Sequence, residues 1–231
     1  MQRQTIETDA GVQAALKSSL AVVDRALAIS RTLAELFTGI SLGSILLLAA
    51  LGLAITYGLM GVINMAHGEL IMVGAYATWW IQTIFKQQLP QYFDAYLVAA
   101  VPISFLAAAL VGVVMERTVI RYLYGRPLET LLATWGISLV LMQTVRTLFG
   151  AQNVGVENPS WMSGNVLLMG NLSLPWNRIV IVGFALAVLA GVAWVISKTR
   201  MGLFVRGVTQ NRPIAACMGV NTARIDTYAF A

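Results

Sequence analysis

Apolar stretches of about twenty residues, with most of the charge confined between and before them, constrain this chain more than any other feature. They run from about Leu36 to Ile63, Leu70 to Phe85, Tyr96 to Ile120, Leu128 to Phe149 and Ile179 to Ser197, five segments in all. A segment of that length can span hydrocarbon as a helix, because a helix satisfies every backbone N–H and C=O within itself. The alternating pattern of a membrane barrel strand is absent. The expected fold is therefore all-α, a polytopic transmembrane helical bundle. Composition agrees: 11% of the residues are charged and 58% hydrophobic, whereas a soluble domain carries about a quarter charged residues.

The placement of Lys and Arg orients the bundle. Arg117, Arg121 and Arg126 separate the third and fourth segments, and Lys198, Arg200, Arg206, Arg212 and Arg224 follow the fifth. By the positive-inside rule both loops are cytoplasmic, in a bacterial inner membrane. The basic-poor loops Lys86 to Asp94 and Gly150 to Asn177 then face the periplasm. Topology accounts for the net charge of +5, so lipid is the expected environment and no nucleic-acid partner is expected. The N-terminal tail lies outside if both early segments cross, and inside if one is re-entrant.

Residues 1–35 carry charges throughout and lack the apolar core and small-residue cleavage site of a secretory signal. Val12, Leu16, Leu20, Val23 and Leu27 recur at spacings of three and four, with Lys17, Asp24 and Arg25 off that stripe. This extension reads either as an amphipathic helix at the bilayer surface or as a flexible, partner-bound tail. Residues 36–231 read as one membrane domain. Thr227 to Ala231 look like the start of a further apolar helix, as in an incomplete reading frame or fragment.

Several stretches carry chemistry. The segment Gly61-Val-Ile-Asn-Met-Ala-His-Gly-Glu69 interrupts about fifty otherwise apolar residues with Asn64, His67 and Glu69. Polar groups at membrane depth mark a solute path, and a broken or re-entrant helix near 61–70 would also free backbone groups to bind a polar solute. The alternative is a wetted cytoplasmic turn between two spans. In the fourth segment Thr130, Thr134 and Ser138 share one helical face. Such a stripe either meets a neighbouring helix or pore, or returns its hydrogen bonds to its own helix. The long outer loop, with Trp161 and Trp176, could receive a delivering protein or simply anchor at the interface.

The inner loop from Thr199 to Arg224 contains Pro213, suited to a first helical turn, and a short run Ile214 to Met218 halted at Gly219. A short helix there suits docking into a partner's cleft, against the alternative of a solvated basic loop. No catalytic residue is expected. His67 is the sole histidine, which rules out a zinc-protease helix, and no GxSxG elbow accompanies it. No phosphate-binding GxxxxGK[ST] loop occurs, so nucleotide would be bound by another protein. One cysteine, Cys217, forms no internal disulfide, and no metal or other cofactor is expected.

Taken together, Asn64-Met-Ala-His-Gly-Glu69 and the loop from Arg200-Met-Gly202 to Gly219-Val-Asn221 resemble the permeases of branched-chain amino acid and urea ABC importers. The resemblance covers about Phe37 to Ala231. Glu129-Thr-Leu-Leu-Ala-Thr-Trp-Gly-Ile-Ser138, Phe149-Gly-Ala-Gln-Asn153, Asn158-Pro-Ser-Trp161 and Val208-Thr-Gln-Asn-Arg212 resemble the urea-type subunit more than the amino-acid type. The resemblance implies a second homologous permease subunit, two cytoplasmic ATPases and a periplasmic solute-binding protein. It places Asn64, His67 and Glu69 in the family's broken-helix motif; the polar stripe of the fourth segment adds Thr134 and Ser138 as candidates for the translocation path. It places Arg206, Gln210, Asn211, Ala215, Gly219 and Asn221 in the ATPase-coupling loop. A passive small-solute channel and an intramembrane hydrolase are the competing readings.

Overall fold

The computed structural model describes residues 10–168 and 172–230. Within them run α1 (Ala10–Met60), α2 (His67–Gln88), α3 (Tyr96–Thr118), α4 (Pro127–Phe149), a hairpin of β1 (Asn165–Leu168) and β2 (Leu172–Pro175), α5 (Trp176–Lys198), α6 (Arg200–Gln210), α7 (Arg212–Cys217) and α8 (Thr222–Phe230). The chain is thus an all-α polytopic membrane protein with a four-residue antiparallel ladder, Asn165 opposite Pro175, in one outer loop.

Among the described residues four helical stretches are long and apolar enough to cross a membrane: Gly11–Gly58, Pro90–Thr118, Pro127–Phe149 and Trp176–Lys198. The sequence reading expected five. Its second segment is helical as α2, but Trp79, Trp80, Gln82, Thr83 and Lys86 dilute its apolar run. Large apolar side chains such as Val98, Phe105, Leu110, Leu132 and Leu148 stand exposed on α3 and α4, as a hydrocarbon surround requires.

Helix α1 has no interruption where the extension was expected to give way to the first span. Its 51 residues extend about 77 Å at about 1.5 Å per residue, more than twice the thickness of the hydrocarbon. Residues 1–9 of the extension lie outside the described residues.

The helices are fastened at the outer end by a compact tie. The Ser160 amide and hydroxyl each donate to Asp94, both at 2.7 Å, and the Trp161 indole donates to the Asp94 carbonyl at 3.0 Å. The Tyr96 hydroxyl donates to the Glu157 carbonyl, and the Glu157 amide donates to Gln82 Oε1 at 3.0 Å. The long outer loop is therefore pinned across the α2–α3 corner.

At the other end, the turn from α5 into α6 is very tight. A Cβ on Gly202 would lie 1.9 Å from the Ile196 carbonyl oxygen, so only glycine permits this corner. Arg206 reaches back and donates to that same carbonyl at 2.9 Å, satisfying a helix-terminal acceptor.

Candidate translocation site and coupling segment

The helix break lies between α1 and α2 and starts at the basic end of the bundle. Helix α1 stops at Met60, Gly61 takes a left-handed φ of 63°, and the chain returns toward the bundle centre before α2 starts at His67. Successive contacts mark the climb. Val62 packs with Met115 and Ile120 at the basic end of the bundle. The Met65 amide then donates to Thr134 Oγ1 at 3.2 Å, and Ser138 Oγ donates to Glu69 Oε1 at 2.6 Å. Thr134 and Ser138 follow Pro127 by 7 and 11 residues, about 10 and about 16 Å along α4 at about 1.5 Å per residue. Glu69 therefore meets the middle of a 23-residue helix. Farther on, Tyr76, tilted, and Trp79, edge-on, pack against Phe149 at the outer end of α4, with ring centroids 4.6 and 5.7 Å away.

Val62 lies at the basic end and Lys86 beside the outer tie, so residues 62–86 run the length of the bundle.

All five residues predicted for the solute path sit at the break. Asn64 is buried, and its Oδ1 accepts from the Ala66 amide at 3.0 Å, which fixes the turn. Its Nδ2 has no hydrogen-bond partner among the described residues. His67 reaches across to α1, its Nε2 lying 3.0 Å from the Ala49 carbonyl, a contact that requires the ring N–H to donate. Gly52 makes room for that ring: a Cβ there would stand 2.8 Å from His67 Cε1. Thr130 and Thr134 return hydrogen bonds to their own helix, while Thr134 also meets the break and Ser138 bonds Glu69, so the polar stripe does both of the things expected of it. Beside the break opens a mostly apolar cavity of about 960 Å³ lined by Gly52, Thr56, His67, Leu70, Phe105 and Phe230.

The coupling residues divide by role. Asn211 caps α7, its Oδ1 accepting from the Ile214 amide at 3.1 Å, and Pro213 sits in the first turn. Gly219, at φ 84°, ends the helix: its amide bonds the Ala216 carbonyl and the Val220 amide bonds the Ala215 carbonyl. Asn221 then caps α8 through the Arg224 amide at 3.1 Å. Ala215 is buried against Val208 and Ile225, whereas Gln210 is exposed. Arg206 is a structural brace of the α5–α6 corner. The side chains presented outward are Ile214 and Met218, four apart and both well exposed.

The sequence reading missed a polar ring at the basic end. Glu116, completely buried in the last turn of α3, accepts from the Thr227 hydroxyl at 2.8 Å and the Tyr124 hydroxyl at 3.2 Å, with Arg121 Nε 3.5 Å away. Arg212, in the first turn of α7, pairs with buried Asp226 and lays its guanidinium over the Tyr124 ring at 4.7 Å. Burial raises the Asp226 carboxyl above its usual range, against the opposing pull of Arg212, and raises the Tyr124 hydroxyl, to which Asp226 and Glu116 also contribute. The available signal was an acid kept among basic residues: Glu116 beside Arg117, and Asp226 after Arg224.

Comparison with known proteins places these features in context. Residues 35–231 match the family described as branched-chain amino acid transport system / permease component. The chain is 26% identical over 203 residues to the high-affinity branched-chain amino acid transport system permease protein BraD of Pseudomonas aeruginosa, covering 86% of this chain and 66% of that one. It is 28% identical to the corresponding LivH proteins of Salmonella typhimurium and Escherichia coli K12, covering 86% of this chain and 65% of each. The chain thus spans about 65% of the length of these relatives. No solved structure matches it.

Proposed function

Because the chain belongs to the branched-chain amino acid transport system permease family, we propose that it serves as the membrane-crossing subunit of an ATP-driven importer in a bacterial inner membrane. ATP would be hydrolysed on two separate cytoplasmic subunits, with a second homologous permease and a periplasmic binding protein completing the assembly. The observation that carries this reading is the polar break that leads from the basic end to Glu69 halfway along α4, with buried Asn64 Nδ2 unpartnered among the described residues. Such groups at membrane depth are costly unless a solute or relay uses them. Ile214 and Met218, exposed on a helix capped at both ends, support a cytoplasmic partner docking on α7.

A branched-chain amino acid is the favoured solute, since the named relatives carry that substrate in their descriptions and the cavity beside the break is largely apolar. Urea is the second reading, favoured by the residues around Glu129 to Ser138 and Val208 to Arg212 described above. The test is uptake of labelled leucine and labelled urea by cells carrying the full-length gene with its ATPase and binding-protein partners. ATP-dependent leucine uptake abolished by Ile214→Asp or Met218→Asp is expected. Uptake of urea alone would overturn the solute, ATP-independent flux would favour a channel, and transport surviving deletion of residues 206–221 would remove the coupling role of α7.

A further inference from the structure

The ring at the basic end closes on itself. Arg212 of α7 pairs with Asp226 of α8; the next residue, Thr227, donates to Glu116 of α3; Glu116 accepts from Tyr124 of the α3–α4 connection; and Tyr124 lies under Arg212. Three separate parts of the chain must be in register for every member to be satisfied. A fully buried carboxylate tolerates no partial arrangement, because removing one partner leaves a charge or donor without solvent to replace it. The ring therefore stabilises only the complete arrangement.

It also abuts the break. Met115 and Ile120, flanking the acid and Arg121, pack with Phe230 of α8 against Val62 and Ala66. Phe230 further lines the cavity that His67 faces. No other contact among those described joins α7–α8 to the membrane helices through a buried charge. Displacing α7 would pull Arg212 from Tyr124 and Asp226, move α8 with Thr227 and Phe230, and relax the apolar wall behind Val62 and Ala66.

Building on the importer reading, we propose that this ring is the joint that ties the position of α7–α8 to the conformation of the helix break, with Glu116, Tyr124, Arg212, Asp226 and Thr227 acting as positioning residues. They touch no solute. Their effect is to decide whether the break stays closed against α4 or opens on the basic side.

The test uses the full-length protein in inside-out membrane vesicles, with Cys217→Ser removing the exposed native thiol and Met65→Cys, at a half-exposed position, as reporter. The probe is a membrane-impermeant maleimide. Thr227→Val and Tyr124→Phe each delete one hydroxyl with little change of volume, so the fold should survive both. Each is expected to change the labelling rate of residue 65 by about threefold or more, the scale of coupling along a packed network, and Thr227→Ser should restore the original rate. In the assembled transporter the same two variants should keep ATP hydrolysis while losing uptake, a split that simple loss of folded protein would not produce. Labelling unchanged in Thr227→Val and Tyr124→Phe, at equal amounts of inserted protein, overturns the joint. Absence of any ATP-dependent uptake by the unsubstituted chain would instead sink the importer reading and leave the labelling result to decide the joint.

Discussion

The two ends of this bundle are fastened by different chemistry. At the outer end, the tie between the long loop and the α2–α3 corner runs largely through backbone groups: the amides of Glu157 and Ser160, and the carbonyls of Asp94 and Glu157. Its one ion pair, Lys86 with Glu157 at 2.7 Å, is half-exposed. At the basic end, side chain meets side chain, and the acids Glu116 and Asp226 are buried. The outer tie pairs backbone groups with side chains, among them the exposed Asp94 carboxylate, which the Ser160 hydrogen bonds hold below the usual carboxylate range. Buried ionic ties are sensitive to every member and stabilise only the complete arrangement. The outer end is built as a platform and the inner end as a joint.

Glycine substitutions should separate the two ends most sharply. Gly202→Ala drives a Cβ to 1.9 Å from the Ile196 carbonyl, so the α5–α6 corner must open, whereas Gly164→Ala at the outer end brings its Cβ to an ordinary 3.7 Å from Trp176 Cδ1. Overpacking against backbone costs about 3 kcal/mol, and the outer change should be near neutral. Thermal unfolding of both variants in the same detergent checks this. Equal shifts would break the contrast.

The charged pairs come next in size. Glu116→Ala leaves Arg121, Tyr124 and Thr227 without their shared acceptor. Buried losses of this kind reach 3–5 kcal/mol where a charge is stranded, and because Arg121 is partly exposed about 2 kcal/mol is expected here. Lys86→Ala removes a surface pair and should cost about 0–1 kcal/mol. If the two proved equal in a denaturant or thermal series, the inner ring would be no more than another surface contact.

Legibility in the sequence follows the same division between local and distant interactions. The spans, the broken helix near residues 61–70 and the short helix after Pro213 were readable, because each follows from local composition, a glycine, a proline or a cap. Asn64, His67, Glu69, Thr134 and Ser138 were found as isolated polar residues in apolar runs, and the structure brings them together across 69 residues. Their depth was not readable: nothing local says that Gly61 sends the chain back up the bundle. Arg206 and Asn211 were legible as members of the inner loop, but their contacts within the chain, a brace on the Ile196 carbonyl and a cap on α7, were not, because a helix-end partner is fixed by the folded corner. The ring around Glu116 escaped entirely, since its members are scattered from residue 116 to residue 227 and each alone reads as a loop charge or a routine span end.

The smallest expected effect is on the pH dependence of stability, and it isolates one member of the joint. Asp226 is faced by Arg212 from α7, by Glu116 from α3 and by Arg121 and Tyr124 from the α3–α4 connection. Burial outweighs the cations, so its folded carboxyl titrates above the unfolded value of about 4. A raised carboxyl binds its proton more tightly when folded, so its contribution is fully present below about pH 4 and is lost as pH rises through the raised value. Asp226→Asn cannot titrate. Its stability should therefore vary less than that of the unsubstituted chain across this mildly acidic window. Thermal unfolding from about pH 4 to pH 7 gives the comparison. A parallel pair of curves for Asp226→Asn and the unsubstituted chain would mean that Arg212 holds Asp226 ionised throughout, making the inner joint a fixed ion pair rather than one poised by burial.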